Sequence, residues 1–527
     1  MLTKNKHIFM NREPLNLING KIITLNPTNP LIENITIKNG KVYTLNQPNT
    51  SYKTIDLKGA TVIPGFIDAH FHIKNLGQRL EMVNLKGVDS IEKIADLIYE
   101  KSKTIKPGDW IEGFGWDQNL WSDPVFPTKD ILNSAAPNNP IFLTRIDGHS
   151  AWINDATIQK TNLNLNVEIP GGTIINDCIL IDNAMNDVRS YLPQPNKESI
   201  KKWLLSGAHY AAERGITNVH DAWQSPDIIE SMLELVQENK MPIKCYGMIG
   251  ASFKDYLKYF FDKGHHSGKH YKIRSVKAFI DGALGSRGAA LHEPYSDDHC
   301  NCGLILISKE EFDELASLCY NYNFQLCTHA IGDRGNNFVL DTYEKYLKTK
   351  NDRRWRIEHA QMLTTNDISR LKDLSIIASM QPSHCTSDMK WLKDRIGEHR
   401  LHRISRWKTL LENDIVIAGG SDCPIEEGNP LYEYYAAITR TDHSGFPKGG
   451  WQSQELLSRM EALHLFTTGA SFAEFSENYR GMIDVGYEAD LTILSDDITT
   501  IKPEKILKTE IIATIVNGQI VYGGNNF

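Results

Sequence analysis

Eight short runs of almost unbroken apolar residues, spaced along the middle of the chain with helix-like stretches between them, restrict this sequence more than any other feature. They fall at 62–66, 217–219, 243–248, 273–280, 324–327, 355–357, 376–380 and 415–418. Apolar on both faces, such runs read as parallel strands covered on each side by helices. The intervening helices have readable starts. Ser308 with Glu311 precedes Phe312, Leu315, Ala316 and Cys319 on one face, and Asp89 with Glu92 and Thr364 with Asp367 repeat the pattern. Eight strand–helix units predict an α/β fold, a (β/α)8 TIM-type barrel with its chemistry at the carboxyl ends of the strands. An open doubly wound sheet is the alternative. Gly282-Ala-Leu-Gly285 lacks the phosphate-loop spacing that such a sheet would use.

Both ends of the chain have a different texture. Short β-type runs at 17–25, 35–42, 491–494, 511–516 and 519–522 are punctuated by Asn19-Gly20, Asn39-Gly40 and Asn517-Gly518, each read as a hairpin dipeptide. We therefore expect one small β-sandwich domain built from 1–61 and 476–527, flanking a barrel over 62–475. Residues from about 73 to 215 are too many for a single strand–helix return, and they read as an inserted lid or subdomain. That insert contains Trp116, Trp121 and Asp147-Gly-His149.

Composition narrows the partners. With 41% hydrophobic residues in 527, the chain can bury a large interior, and a net charge of −8 without a basic run disfavours nucleic acid and anionic membrane surfaces. The eight cysteines are scattered, as expected of reduced thiols rather than a disulfide framework. The opening MLTKNKHIFMNREPLNLINGKII has no apolar core behind its lysines, so a cytoplasmic location is expected.

Chemistry concentrates at the strand ends. His70 and His72 follow the first run two residues apart, so both imidazoles point to one side and suit a metal ion. Alone the pair is a weak signal among 18 histidines. His329 closes the fifth run, His359 the sixth and Asp422 the eighth, while Lys277 lies in the fourth. The alternative for Lys277 is a plain ammonium paired with Asp281. His149 reads as a donor to a substrate carbonyl or as a loop contact. His220 and His384, after the second and seventh runs, read as facing the pocket. Trp116 reads as an apolar wall or as packing within the insert.

Taken in order, PGFIDAHFH, VKAFIDGALGSR, THAIGD, RIEHA and GGSD resemble the amidohydrolase superfamily. More specifically, they resemble the amidohydrolase 3 type, the bacterial branch that includes N-substituted formamide deformylase. The likeness runs nearly end to end through WIEGFGW, DGHSAWIN, PGGTI, SMQPSH and GYEADLTIL. It implies a divalent metal, zinc by its donors, as one ion or two. His70, His72 and Asp422 would hold the first ion, His329 and His359 the second, and a carboxylated Lys277 would bridge them. It further implies a metal-dependent hydrolase that cleaves a C–N bond of an amide, N-acyl or N-formyl small molecule with metal-activated hydroxide, Asp422 moving the proton. A homodimer is also implied. A deaminase or cyclic-amide hydrolase on the same scaffold is the second reading, and a non-catalytic regulatory protein is the third.

Overall fold

The computed structural model describes residues 13–524 except 168. The lysine-bearing start of the chain lies outside the described residues. Eight parallel strands form one sheet: β1 (Phe66–Phe71), β2 (Ile216–Gln224), β3 (Lys244–Gly250), β4 (Tyr271–Phe279), β5 (Gln325–Ala330), β6 (Arg356–His359), β7 (Ile377–Met380) and β8 (Ile417–Gly419). Each pairs with the next in chain order. The sheet closes where Phe71 bridges Cys423, with Asp422 N–H donating to His70 C=O at 2.8 Å and His72 N–H to Cys423 C=O at 2.9 Å. The barrel is therefore present, and its last seam ties the first-strand histidines to the eighth-strand aspartate.

The first expected run is divided between two structures. Val62 and Ile63 belong to Thr61–Pro64, which pairs with Leu491–Leu494 and Lys21–Ile23 in a terminal sheet, and the barrel begins only at Phe66. A continuous apolar run cannot show this break, because both halves are buried on both sides.

Around the termini, a four-stranded and a six-stranded sheet share one apolar core containing Leu17, Ile35, Val62, Leu491 and Ile515. Asn39-Gly40 and Asn517-Gly518 do form two-residue hairpins, with Lys38 opposite Lys41 and Val516 opposite Gln519 and both turn residues at positive φ. Asn19-Gly20 does not. The strands on either side of it, Leu15–Ile18 and Lys21–Ile23, lie in different sheets, so this turn is a corner between sheets.

By compactness the chain divides into residues 1–75 with 201–527, and residues 76–200. The second unit is shorter than the expected insert because helix Lys197–Glu213 runs into the barrel unit, where a Cβ on Gly207 would stand 2.4 Å from Ile73 C=O. It has its own six-stranded sheet and a core that includes Trp116, Trp121 and Trp152. Helix starts at Ser308 and Thr364 carry full capping boxes. At 91–102 the cap is Ser90, and Asp89 instead pairs with Lys93 one turn on. No helix among the described residues is long and apolar enough to cross a membrane.

Candidate metal centre

β1 delivers its histidines through Asp68. This buried carboxylate accepts the N–H of His70 at 3.0 Å and of Ser421 at 3.1 Å, and the Ser421 hydroxyl at 2.6 Å. Burial pushes it up to about 7, against the pull of those donors. Gly420 passes so close that a Cβ there would stand 2.5 Å from His70 N, so only glycine lets the β8 loop lie against β1.

His70 is 1% exposed, and its Nδ1 stands 2.6 Å from Glu358 Oε2. An ionised carboxylate only accepts, so Nδ1 carries the proton and Nε2 keeps a free lone pair. Arg356 holds Glu358 ionised: burial alone would raise the carboxyl, but Arg356 and His70 hold it well below the usual range. The Arg356 guanidinium contacts Glu358 Oε1 at 2.5 Å through Nε and donates through Nη1 to His220 Nδ1 at 2.9 Å.

Glu358 and His359 are neighbours on β6, yet both turn inward. His359 has φ 74°, which breaks the strand alternation and swings its ring to the mouth. Its Nδ1 donates to Gln381 Oε1 at 2.8 Å, leaving Nε2 free as in His70. Asp422 stands at φ 56°, with Oδ1 3.0 Å from His72 Nε2 and 3.5 Å from His70 Nε2. Two strand-end residues in the left-handed region, at the end of β6 and after β8, are costly for L-residues and mark a site that the surrounding fold holds in place. Burial would raise Asp422, but His70, His72 and His359 hold it well below the usual carboxylate range.

The sequence-derived ligands converge. Donor atoms of His70, His359 and Asp422 lie within 4.8 Å of one another. His329 stands beside them, its ring 4.6 Å from that of His359, and Lys277 Nζ reaches to 3.4 Å from His70 Nε2. Burial, with Lys277 nearby, lowers His70 to about 4 and His329 to about 3, so both rings are neutral as metal ligands must be. Burial likewise lowers Lys277. Asp281, the alternative partner for its ammonium, accepts the backbone N–H groups of Ala290, Ile331 and Gly332.

His384 joins this group. It stacks 6.0 Å from His359, with Nε2 4.0 Å from Asp422 Oδ2. That nitrogen is enclosed and has no hydrogen-bond partner among the described residues. The other three residues do not join this group, and for Trp116 and His149 the second reading, packing within the insert and a loop contact, describes what they do. His220 is fully enclosed inside the barrel between Arg356 and Glu474, so it offers no face to an entering molecule. Trp116 is also enclosed, its indole N–H donating to Leu143 C=O in the second unit's core, which corrects the reading of it as a wall. His149 is an exposed residue of that unit, paired with Asp182 at 2.8 Å. Sequence reading gave no role to Glu358 and Arg356. The signal for both was present: they sit two apart on the strand that ends in His359, and so face the same interior as the ligands.

A neutral-imidazole and carboxylate donor set of buried side chains, with two rings presenting free Nε2 atoms, fits a divalent ion of the zinc type. Comparison with known proteins shows the family and a likeness to a metal-dependent hydrolase. The Amidohydrolase family model (Amidohydro_3) matches residues 53–522. Putative amidohydrolase YtcJ of Bacillus subtilis (strain 168) is 31% identical over 476 residues, covering 88% of this chain and 89% of the relative. N-substituted formamide deformylase of Arthrobacter pascens is 24% identical over 490 residues, covering 88% and 89%. The crystal structure of an uncharacterized metal-dependent hydrolase from Pyrococcus horikoshii OT3 superposes with a TM-score of 0.78 at 27% identity, covering 93% and 99%.

Proposed function

Because the chain belongs to the amidohydrolase family and is thereby a hydrolase, we propose that it cleaves the C–N bond of an amide, N-acyl or N-formyl small molecule. The observation that carries this reading is the convergence of His70, His359 and Asp422 donor atoms within 4.8 Å, beside His72, His329 and Lys277. These residues would hold one or two divalent ions, zinc by preference of the donors. A bound ion would supply Lewis-acid activation of water and carbonyl.

The chain's own groups divide the remaining work. Glu358 fixes the His70 tautomer, and Gln381 does the same for His359. Asp422, ionised by its histidine neighbours, takes the proton from the attacking water at Oδ2 and returns it to the departing nitrogen. His384 Nε2–H donates to the substrate carbonyl oxygen as charge develops there. Lys277, its amine favoured by burial, is the group that takes up carbon dioxide as a carbamate, with loss of one proton, if two ions are bound.

Metal-loaded protein should hydrolyse members of a panel of N-formyl, N-acyl and cyclic amides and lose that activity on chelation. Turnover confined to cyclic amides or amino-heterocycles would replace this reading with the second. A protein inert to metal and to the whole panel would favour a regulatory role.

A further inference from the structure

A pocket of about 600 Å³ lies in the barrel unit at the carboxyl ends of β2, β3 and β4. Trp223, Phe279, Leu257, Phe261, Leu306 and Leu315 give it apolar walls. Charged groups of both signs from helices Lys254–Lys263 and Lys309–Asn321 stand among them, so no single charge sign is selected. This volume suits a small-molecule group, and walls of this kind are usual for such sites.

Two observations tie the pocket to the metal centre. Phe279 contacts both: its ring lies 5.0 Å from that of His329 and 5.1 Å from that of Trp223. Lys277 Nζ lies 5.0 Å from the same ring centre. Second, β2 breaks its register with β3 between Ala222 and Gln224, and the bulged residue, Trp223, has φ 84°. A bulky residue seldom adopts this conformation, and bulges beside active sites re-aim a side chain. Here the bulge sets the indole against Phe279. Leu306, 59% exposed on the segment after β4, lines the pocket and offers apolar surface that a guest could cover.

We propose that this pocket receives an uncharged alkyl or aryl arm of the substrate, while the bond to be cleaved lies at His70, His359 and Asp422. The assignment rests on the C–N hydrolase reading for its substrate class, but occupancy of the pocket can be measured without turnover. Two measurements on the metal-loaded full chain separate the claims. The first follows binding of 4-phenylbutan-2-one, a ketone with an apolar arm and no cleavable bond, by saturation-transfer NMR. The second follows hydrolysis of formamides with N-methyl, N-butyl and N-benzyl arms.

The ketone should bind the wild type, bind at least about ten-fold more weakly to Leu306→Glu, and be restored by Leu306→Phe. Across the formamides kcat/KM should climb about four-fold per methylene. Because Leu306 is exposed, neither variant should disturb folding, and a thermal melt checks this. Ketone binding with this pattern but no amide cleavage would keep the pocket and reject the C–N reading. Amide cleavage indifferent to the arm, with the ketone bound equally by Leu306→Glu, would overturn the pocket and keep that reading. A Leu306→Glu variant that dissociates a dimer while still binding the ketone would make this face a subunit contact and overturn the proposal.

Discussion

Replacing Glu358 by glutamine keeps the size of the side chain and removes the charge that fixes the proton on His70 Nδ1. It also leaves Arg356 facing a neutral partner. Partners of metal-binding histidines commonly contribute a factor of ten to a hundred in affinity. Glu358→Gln should therefore weaken metal binding by about 10- to 100-fold in a chelator competition, and an unchanged affinity would remove Glu358 from this role. Asp422→Asn should lower kcat by about a hundred- to ten-thousand-fold under saturating metal, the usual range for a lost proton carrier. Steady-state kinetics with metal content measured in parallel checks it. His70, His72, His329, His359 and Asp422 could be picked out from sequence because ligand chemistry restricts residue type and strand ends restrict position. Glu358 and Arg356 share a face of the strand that ends in His359, so their place was legible, but their partners His70 and His220 are set only by the fold. His220 and Trp116 were read by neighbourhood in sequence, and only packing shows that both are enclosed.

Strand and turn elements were legible wherever a local rule decides the outcome. Capping boxes at Ser308 and Thr364 and the hairpins at Asn39 and Asn517 have local causes and form as expected. Asn19-Gly20 obeys the same local rule, but its flanking strands find partners in two different sheets. Tertiary pairing overrides the dipeptide there. The division of the first apolar run at Gly65 was hidden for the same reason, because both parts are equally buried. At the Asn517-Gly518 turn, Gly518 has φ 73°, and a Cβ there would lie 2.7 Å from Ile37 Cγ2. Gly518→Ala combines backbone strain with a side-chain clash, and it should destabilise the protein by more than about 1 kcal/mol. Chemical denaturation measures that loss, and an unchanged midpoint would show that the turn relaxes.

Across the whole molecule, a chain of buried charged and polar groups runs from the metal centre to the terminal sheets. From His70 it passes through Glu358, Arg356, His220, Glu474 and Arg480 to Glu488, Asp490 and Lys244. Burial opposes ionisation of Glu474, but Arg480 and His220 outweigh it and hold the carboxyl at about 2 against the usual 4.5. A depressed carboxyl adds stability that is complete above its unfolded pKa and is lost as pH falls through the folded one. Stability should thus drop by on the order of 3 kcal/mol between about pH 4.5 and 2 through this group. Glu474→Gln should flatten that part of a stability-against-pH curve, and an equally steep curve in the variant would assign the loss to other groups. The barrel was legible as a pattern, whereas this buried network was not, because its members are spread over the sequence and meet only in the fold. The central claim, that the strand-end histidines and Asp422 hold a divalent ion on which hydrolysis depends, meets its most direct test in elemental analysis of the purified full chain. About one or two equivalents of a divalent metal per chain are expected in the wild type, with a marked loss in the combined His70→Ala, His359→Ala variant. A wild-type protein that is metal-free after exposure to zinc, and as stable and as active with chelator as without, would contradict the account.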